Sequence, residues 1–356
     1  MAVYTTIDDP SAHFQTTLYT GTGSELAITN GGNSDLQPDM VWTKSRSNTL
    51  NHNLYDSNRG VNKMLKPNLT VEEGTDAQSL KSFNSDGFTV GTDTHINTSG
   101  ATFVSWQWKA NGGTTSSNTS GSITSTVQAN TTAGFSIVTY AGQDSAGTVG
   151  HGLGAEPHAI IIKNRTGSYS WHCYWKVLGN QGLNWLESTA GASSSSGTWN
   201  TTTPTSTLFS MDGGSSFSGT NRASNNFVAY CFTSIQGYSK FGSYIGNGNA
   251  DGPFIYTGFK PKYFLLKNVT ITAGSGGQHW QISDTGRHPE NPLDLTILAE
   301  TTGGDGSPWS IKDFMANGVK IRGNNFAMNT SGDRYIYIAF AEHPFVTSTA
   351  IPCTAG

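Results

Sequence analysis

The chain has 356 residues, more than one hydrophobic core usually serves, so two or three domains are expected. Its 20 Lys and Arg are thinly spread at a net charge of −4, which leaves no basic stripe for nucleic acid, and its apolar runs are strand-sized, well short of the roughly 20 residues that a membrane-spanning helix needs. Charged residues make up only 12% while Gly reaches 43, and 17 Phe, 13 Tyr and 9 Trp supply large side chains to bury, a combination that reads as short aromatic strands joined by turns rather than as disorder.

In chain order, residues 1–13 carry no basic flank followed by an apolar stretch, so no secretory signal is expected. Tyr4, Asp8, Asp9, Pro10 and Phe14 mark this stretch as an attachment arm, with Asp-Asp-Pro as a turn between β-prone residues that gain order on a partner. Three strand-rich segments follow, at 14–109, 135–234 and 235–345. Residues 110–134 between the first two are Ser/Thr/Gly-rich and read as a linker or a draped arm, whereas the second and third segments adjoin and are expected to dock closely. Helical periodicity is scarce; residues 293–300 alone suggest a turn or two, and 346–356 form a tail.

The three segments repeat one pattern. Each has a proline followed six residues later by a lysine with an apolar run between: Pro38-Asp-Met-Val-Trp-Thr-Lys44, Pro157-His-Ala-Ile-Ile-Ile-Lys163 and Pro261-Lys-Tyr-Phe-Leu-Leu-Lys267. A residue without an N–H opens a strand but cannot sit inside its ladder, so each proline is expected at a strand start. Upstream lies a Tyr-x-Gly turn (Tyr19 and Gly21, Tyr140 and Gly142, Tyr244 and Gly246); downstream come an Asn-led turn at Asn97, Asn221 and Asn329 and an aromatic strand. Segments one and three share an aromatic near Asp-x-x-Arg, with Tyr55 and Trp280 at similar positions, and segment two lacks it. The prediction is an all-β chain of three tandem antiparallel β-sandwich repeats.

Leu54-Tyr-Asp-Ser-Asn-Arg-Gly60, Phe83-Asn-Ser-Asp-Gly-Phe88, Val149-Gly-His-Gly-Leu-Gly154 and Gly246-Asn-Gly-Asn-Ala-Asp-Gly-Pro-Phe254 carry a further likeness. Together with similar stretches they make the chain resemble the marine bacteriophage virion proteins that contain tandem concanavalin-A-like domains of unassigned function. The resemblance implies jelly-roll or concanavalin-A-like sandwiches, synthesis in the host bacterial cytoplasm and a place on the virion surface. It also implies a tail fibre or adhesion component as the favoured role, with a capsid decoration or scaffolding protein as the alternative, and partners among other virion proteins and further copies of the chain in a homotrimer. Host-surface glycan enters as the ligand that loops at one end of the sandwiches would bind in an adhesion component. The resemblance points to a virion more firmly than to a ligand. It supplies no catalytic residue and no cofactor.

Chemistry sought in the residues points the same way. Glycan depolymerases need two positioned carboxylates, and the acidic residues here are isolated or adjacent in turns, so no enzyme activity is expected. No His, Cys or Asp cluster has metal-site spacing; residues 246–252 mimic a calcium loop but lack its final Glu and read as a hairpin turn. Cys173, Cys231 and Cys353 are read as packing thiols. Trp171, His172, Trp185, His279 and Trp280 are the candidate glycan contacts, since flat ring faces beside hydrogen-bonding groups suit sugars; the competing reading is core packing.

Overall fold

The computed structural model describes residues 4–195, 197–213, 219–270, 278–306 and 310–352. The fold is all-β, antiparallel throughout its named strand pairs, with sheets packed as sandwiches. The main sheet of the first segment runs in the order Phe14–Thr20, Thr102–Trp108, Met40–Ser45, Asn53–Asp56. The second contains the same order in Phe135–Ala141, Asn226–Phe232, Ala159–Asn164 and His172–Trp175, and the third in Ser239–Ile245, Arg334–Pro344, Phe259–Asn268 and Trp280–Asp284. Register agrees residue for residue. Met40 faces Trp108 and Asp56, Ala159 faces Phe232 and Trp175, and Tyr263 faces Phe340 and Asp284. Four positions on, Lys44, Lys163 and Lys267 face Val104, Val228 and Ile336.

Pro38 and Pro157 stand two residues ahead of their strands, as expected. Pro261 instead lies inside the longer strand Phe259–Asn268, at a register shift, where the ladder makes no use of the missing N–H. Every residue of Met40–Ser45 and Ala159–Asn164 is buried, because both faces of the main sheet are covered. One face packs on a smaller second sheet of its own segment, giving separate cores such as Val41, Tyr55, Phe88 and Val90, or Phe264, Leu266, Val319 and Ile321. The other face of all three main sheets meets in one cluster that includes Trp42, Trp106, Ile161, Phe232, Leu265 and Phe340. A strand buried on two sides has no polar face, hence the unbroken apolar run between proline and lysine.

The Tyr-x-Gly turn and the downstream Asn are one device. Tyr19, Tyr140 and Tyr244 stack on Phe103, Phe227 and Tyr335 of the neighbouring strand, with ring centroids 5.1, 5.2 and 4.9 Å apart. Their hydroxyls donate to the carbonyls of Ile96, Thr220 and Met328. Asn97, Asn221 and Asn329 are buried and accept from the backbone N–H beside each glycine, at Thr22, Gln143 and Asn247. A Cβ on Gly21, Gly142 or Gly246 would stand 2.1–2.3 Å from a carbonyl oxygen one residue past the Asn, so only glycine lets the turn close.

Three expectations are corrected. Residues 110–134 are no free linker: Ser125–Asn130 pairs along Phe135–Ala141 and Ser116–Asn118 pairs on it in turn, so the stretch widens the second main sheet. Within 293–300 the named element is the strand Ile297–Leu298, paired with Trp280–Asp284, rather than a helical turn. In place of an arm, the chain from Tyr4 is packed on the third segment: the Tyr4 hydroxyl donates to Gly258 O (2.7 Å), that of Thr5 to Gln236 O (2.8 Å), and Ile7 is buried in the shared core. Asp8 accepts from the Ser348 N–H (2.6 Å), Asp9 caps the short turn Pro10–Ala12, and Phe14 is the first residue of a core strand, stacked on Phe340.

Candidate functional site

The polar groups at the centre of the molecule follow a rotation. Lys44 Nζ reaches out of the first segment to Thr302 O of the third (3.1 Å), Lys163 out of the second to Thr70 O of the first (2.8 Å), and Lys267 out of the third to Ser188 O of the second (2.9 Å). The residues opposite the lysines repeat the same cycle. His52 bonds Leu298 O (3.1 Å), Trp171 donates to Lys66 O and Leu69 O (both 3.1 Å), and Trp280 donates to Trp185 O (2.9 Å). Because Trp42 Nε1 donates to His52 Nδ1, the proton of His52 is on Nε2, which is the donor toward Leu298. First to third, second to first and third to second, the contacts close into a ring.

Two of the three junctions are ionic and one is apolar. Arg59 pairs with Asp56 (2.5 Å) and Arg287 with Asp284 (2.6 Å), all four side chains fully buried. The neighbouring segment completes each pair, Tyr230 donating to Asp56 (2.6 Å) and Trp106 to Asp284 (3.1 Å). A second carboxylate then bridges two arginines, Glu73 between Arg59 and Arg165, and Asp305 between Arg287 and Arg46. Burial alone would raise Glu73, but the bonds from Arg165 and Arg59 win and hold it below the ordinary carboxylate range. At the third junction the matching positions are Trp175 and Leu178, met by Ile338 and Val269 of the third segment. Every ionic group has been exchanged for an apolar one, on both sides at once.

Burial pushes the lysines down, Lys44 and Lys163 to about 8 and Lys267 to about 7. It pushes His151 and His172 to about 4. His151 donates from Nε2 to Thr205 O and accepts the Leu153 N–H, a structural role. Cys173 and Cys231 are buried thiols, raised by burial, and Cys353 lies outside the described residues.

Of the glycan candidates, Trp171 and Trp280 are buried and spend their indole N–H groups on the junctions just described, so neither offers a ring face to solvent. His172, Trp185 and His279 are half-buried; the structure brings Trp185 against Trp280, and His279 bonds Glu300. The repeat position of Trp280 matches His52 and Trp171, all three opposite the lysines, rather than Tyr55, which matches Ser283. A groove of about 410 Å³ between the first and third segments is lined by Gln15, Thr17, Gly32, Lys262, Glu342 and His343. Its carboxylate, Glu342, is half-buried, held below the ordinary carboxylate range by Lys262 and Lys260 against the effect of burial, and accepts from Thr285, so it is committed to neighbours. The cavity where the three main sheets meet holds only about 30 Å³ and is walled by apolar and aromatic side chains. Among the described residues, no group of His, Cys, Asp and Glu is placed to hold a metal ion, and no helix is long and apolar enough to cross a membrane.

One family of known sequences matches residues 9–344, nearly the whole chain. The chain belongs to the DUF7483 family, a domain of unknown function. Its span takes in all three segments and the ring of contacts between them, so the family unit is the whole assembly rather than one sandwich. No significant match was found among curated proteins or among solved structures.

Proposed function

We propose that the chain is a non-catalytic structural protein of a bacteriophage virion, three copies of one sandwich domain closed into a ring, which displays its loops and outer sheet faces at the particle surface as a tail-fibre or adhesion component. The observation that carries this reading is the use to which reactive side chains are put. The buried lysines, the Asp–Arg pairs and the junction tryptophans are spent on holding segments to one another. What supports the virion setting is the sequence resemblance. We propose a single chain as the displayed unit in place of the homotrimer, because the three-way core draws on all three segments of one chain and needs no second copy to build it. Gold-labelled antibody against the purified chain tests the setting. Label on tails supports adhesion, label on capsids the decoration alternative, and unlabelled particles overturn the proposal.

A further inference from the structure

We infer that the outer face of the second sheet in the third segment, built on Phe254, Tyr256 and Met315 around Gly318, is a binding platform for a neutral β-linked glycan chain. The sheet consists of Asp251–Tyr256, Gly318–Arg322 and Lys312–Met315. Its inner face gives Ile255, Val319, Ile321 and Phe314 to the core, so the residues between them point outward. Phe254 is 47%, Tyr256 53% and Met315 42% exposed. Tyr256 and Met315 both pair with Gly318, and a Cβ there would come within 2.6 Å of the Phe254 ring. The Phe254 ring thus covers the buried glycine, and the exposed parts of Phe254, Tyr256 and Met315 form a shallow dish above it.

The other two segments serve as internal controls. Flanking the buried residue of the corresponding strand, Ile28 in the first and Val149 in the second, stand Ala27 and Thr29, or Thr148 and Gly150. The fold therefore does not require aromatics at these positions. Phe254 covers Gly318 and the Tyr256 hydroxyl meets that of Tyr4 (3.3 Å), yet about half of each side chain stays wet, and that half contributes nothing to folding.

Area and neighbours identify the occupant. Taking about 200 Å² per side chain, the three exposed fractions amount to about 300 Å². A stable protein interface needs about 800 Å² on each partner, so the dish is too small for one, and fits a short run of sugar rings. Axial C–H groups of β-linked glucose- or galactose-like rings carry the positive edge that the negative face of an aromatic ring attracts. The hydroxyls around such a ring need donors and acceptors, and the next row of the same face supplies both. Lys320 faces Phe254 in the ladder and pairs with Asp251 (2.6 Å), and Asp313 faces Lys320 and accepts from Arg322 (2.6 Å). With the charges already paired, the face favours a neutral chain over a polyanion.

This deepens the display role proposed above but is tested on the purified chain, so its failure leaves the virion setting untouched. Native affinity electrophoresis of the full chain in gels holding laminarin, β-1,4-galactan or xylan is the measurement. Retardation by at least one polymer is expected, with apparent affinity falling about tenfold in Phe254→Ala and in Tyr256→Ala, and kept in Phe254→Trp and Thr29→Ala. Thermal melting of both alanine variants like the parent chain shows that they fold. No retardation by any of the three polymers, or full retardation of both alanine variants, overturns the inference. So does a concentration-dependent dimer abolished by Phe254→Ala, which would assign the face to a second copy.

Discussion

Asp284 and Arg287 neutralise one another where water is excluded, and Trp106 of the first segment donates to the same carboxylate. Removing Asp284 takes away the closer of the two carboxylates that neutralise the buried Arg287 and leaves Asp305 alone to do so, which costs up to about 3–5 kcal/mol, whereas exchanging the pair for apolar side chains is often close to neutral. Asp284→Ala is therefore expected to lose about that much stability in urea unfolding, and Asp284→Leu with Arg287→Leu to lose less than the single change. A double variant worse than the single would contradict this, and would leave the apolar junction at Trp175 and Leu178 without its explanation. Among the buried lysines, Lys44 and Lys163 lie near 8, and Lys267 and Lys312 near 7, against an unfolded value near 10.5. Between those limits the unfolded chain binds more protons, so stability rises with pH; the penalty is fully present below the folded values. Above about pH 10 the sign reverses, because buried tyrosines such as Tyr140 and Tyr244 stay protonated in the fold while the unfolded chain ionises. The urea midpoint should climb from about pH 7 to 10 and then fall, with a flatter climb in Lys267→Met.

Each Tyr-x-Gly turn is set by a backbone that approaches too closely for a side chain. Gly142→Ala places a Cβ 2.3 Å from Arg222 O, so it should cost about 1–3 kcal/mol, while Gly31→Ala, with nothing within 4 Å, should stay within about 0.5 kcal/mol. Equal melting of the two variants would remove the steric account of the repeated motif. The N-terminal stretch behaves as an element of the core. Deleting residues 1–12 exposes the site of Ile7 and frees the carbonyls of Gly258 and Gln236, so the truncated chain should melt several degrees lower. Unchanged melting would restore the arm. That packing was illegible in the sequence because Tyr-Thr-Thr-Ile-Asp-Asp-Pro carries no period, and its partners lie more than 200 residues away. Residues 125–130 hid for a similar reason: a polar strand on a sheet edge looks like a linker until its neighbour is known.

At the scale of the whole molecule, the shared core draws on all three main sheets and the junction contacts close on themselves. No segment can lose its fold without exposing aromatic surface on the other two. Calorimetry should therefore give one transition whose van't Hoff and calorimetric enthalpies agree, rather than three steps. Resolved steps would mean that each sandwich is stable on its own second-sheet core. Light scattering should return a mass near 37.9 kDa, one chain, if the ring is complete as it stands.

The sequence by itself determined the all-β class, the equivalence of Pro38, Pro157 and Pro261, and the turn built on Tyr, Gly and Asn, because strand burial and turn closure are local demands that a short motif records. The lysines were visible as well, but not their task, since a Lys at the end of an apolar strand looks the same whether it reaches water or a carbonyl of another segment. Only the tertiary structure decided that Trp171 and Trp280 are buried while Phe254 and Tyr256 are exposed. Aromatic type is identical in the two cases. What separates them is whether a second layer covers that face of the sheet, and the covering residues come from distant parts of the chain.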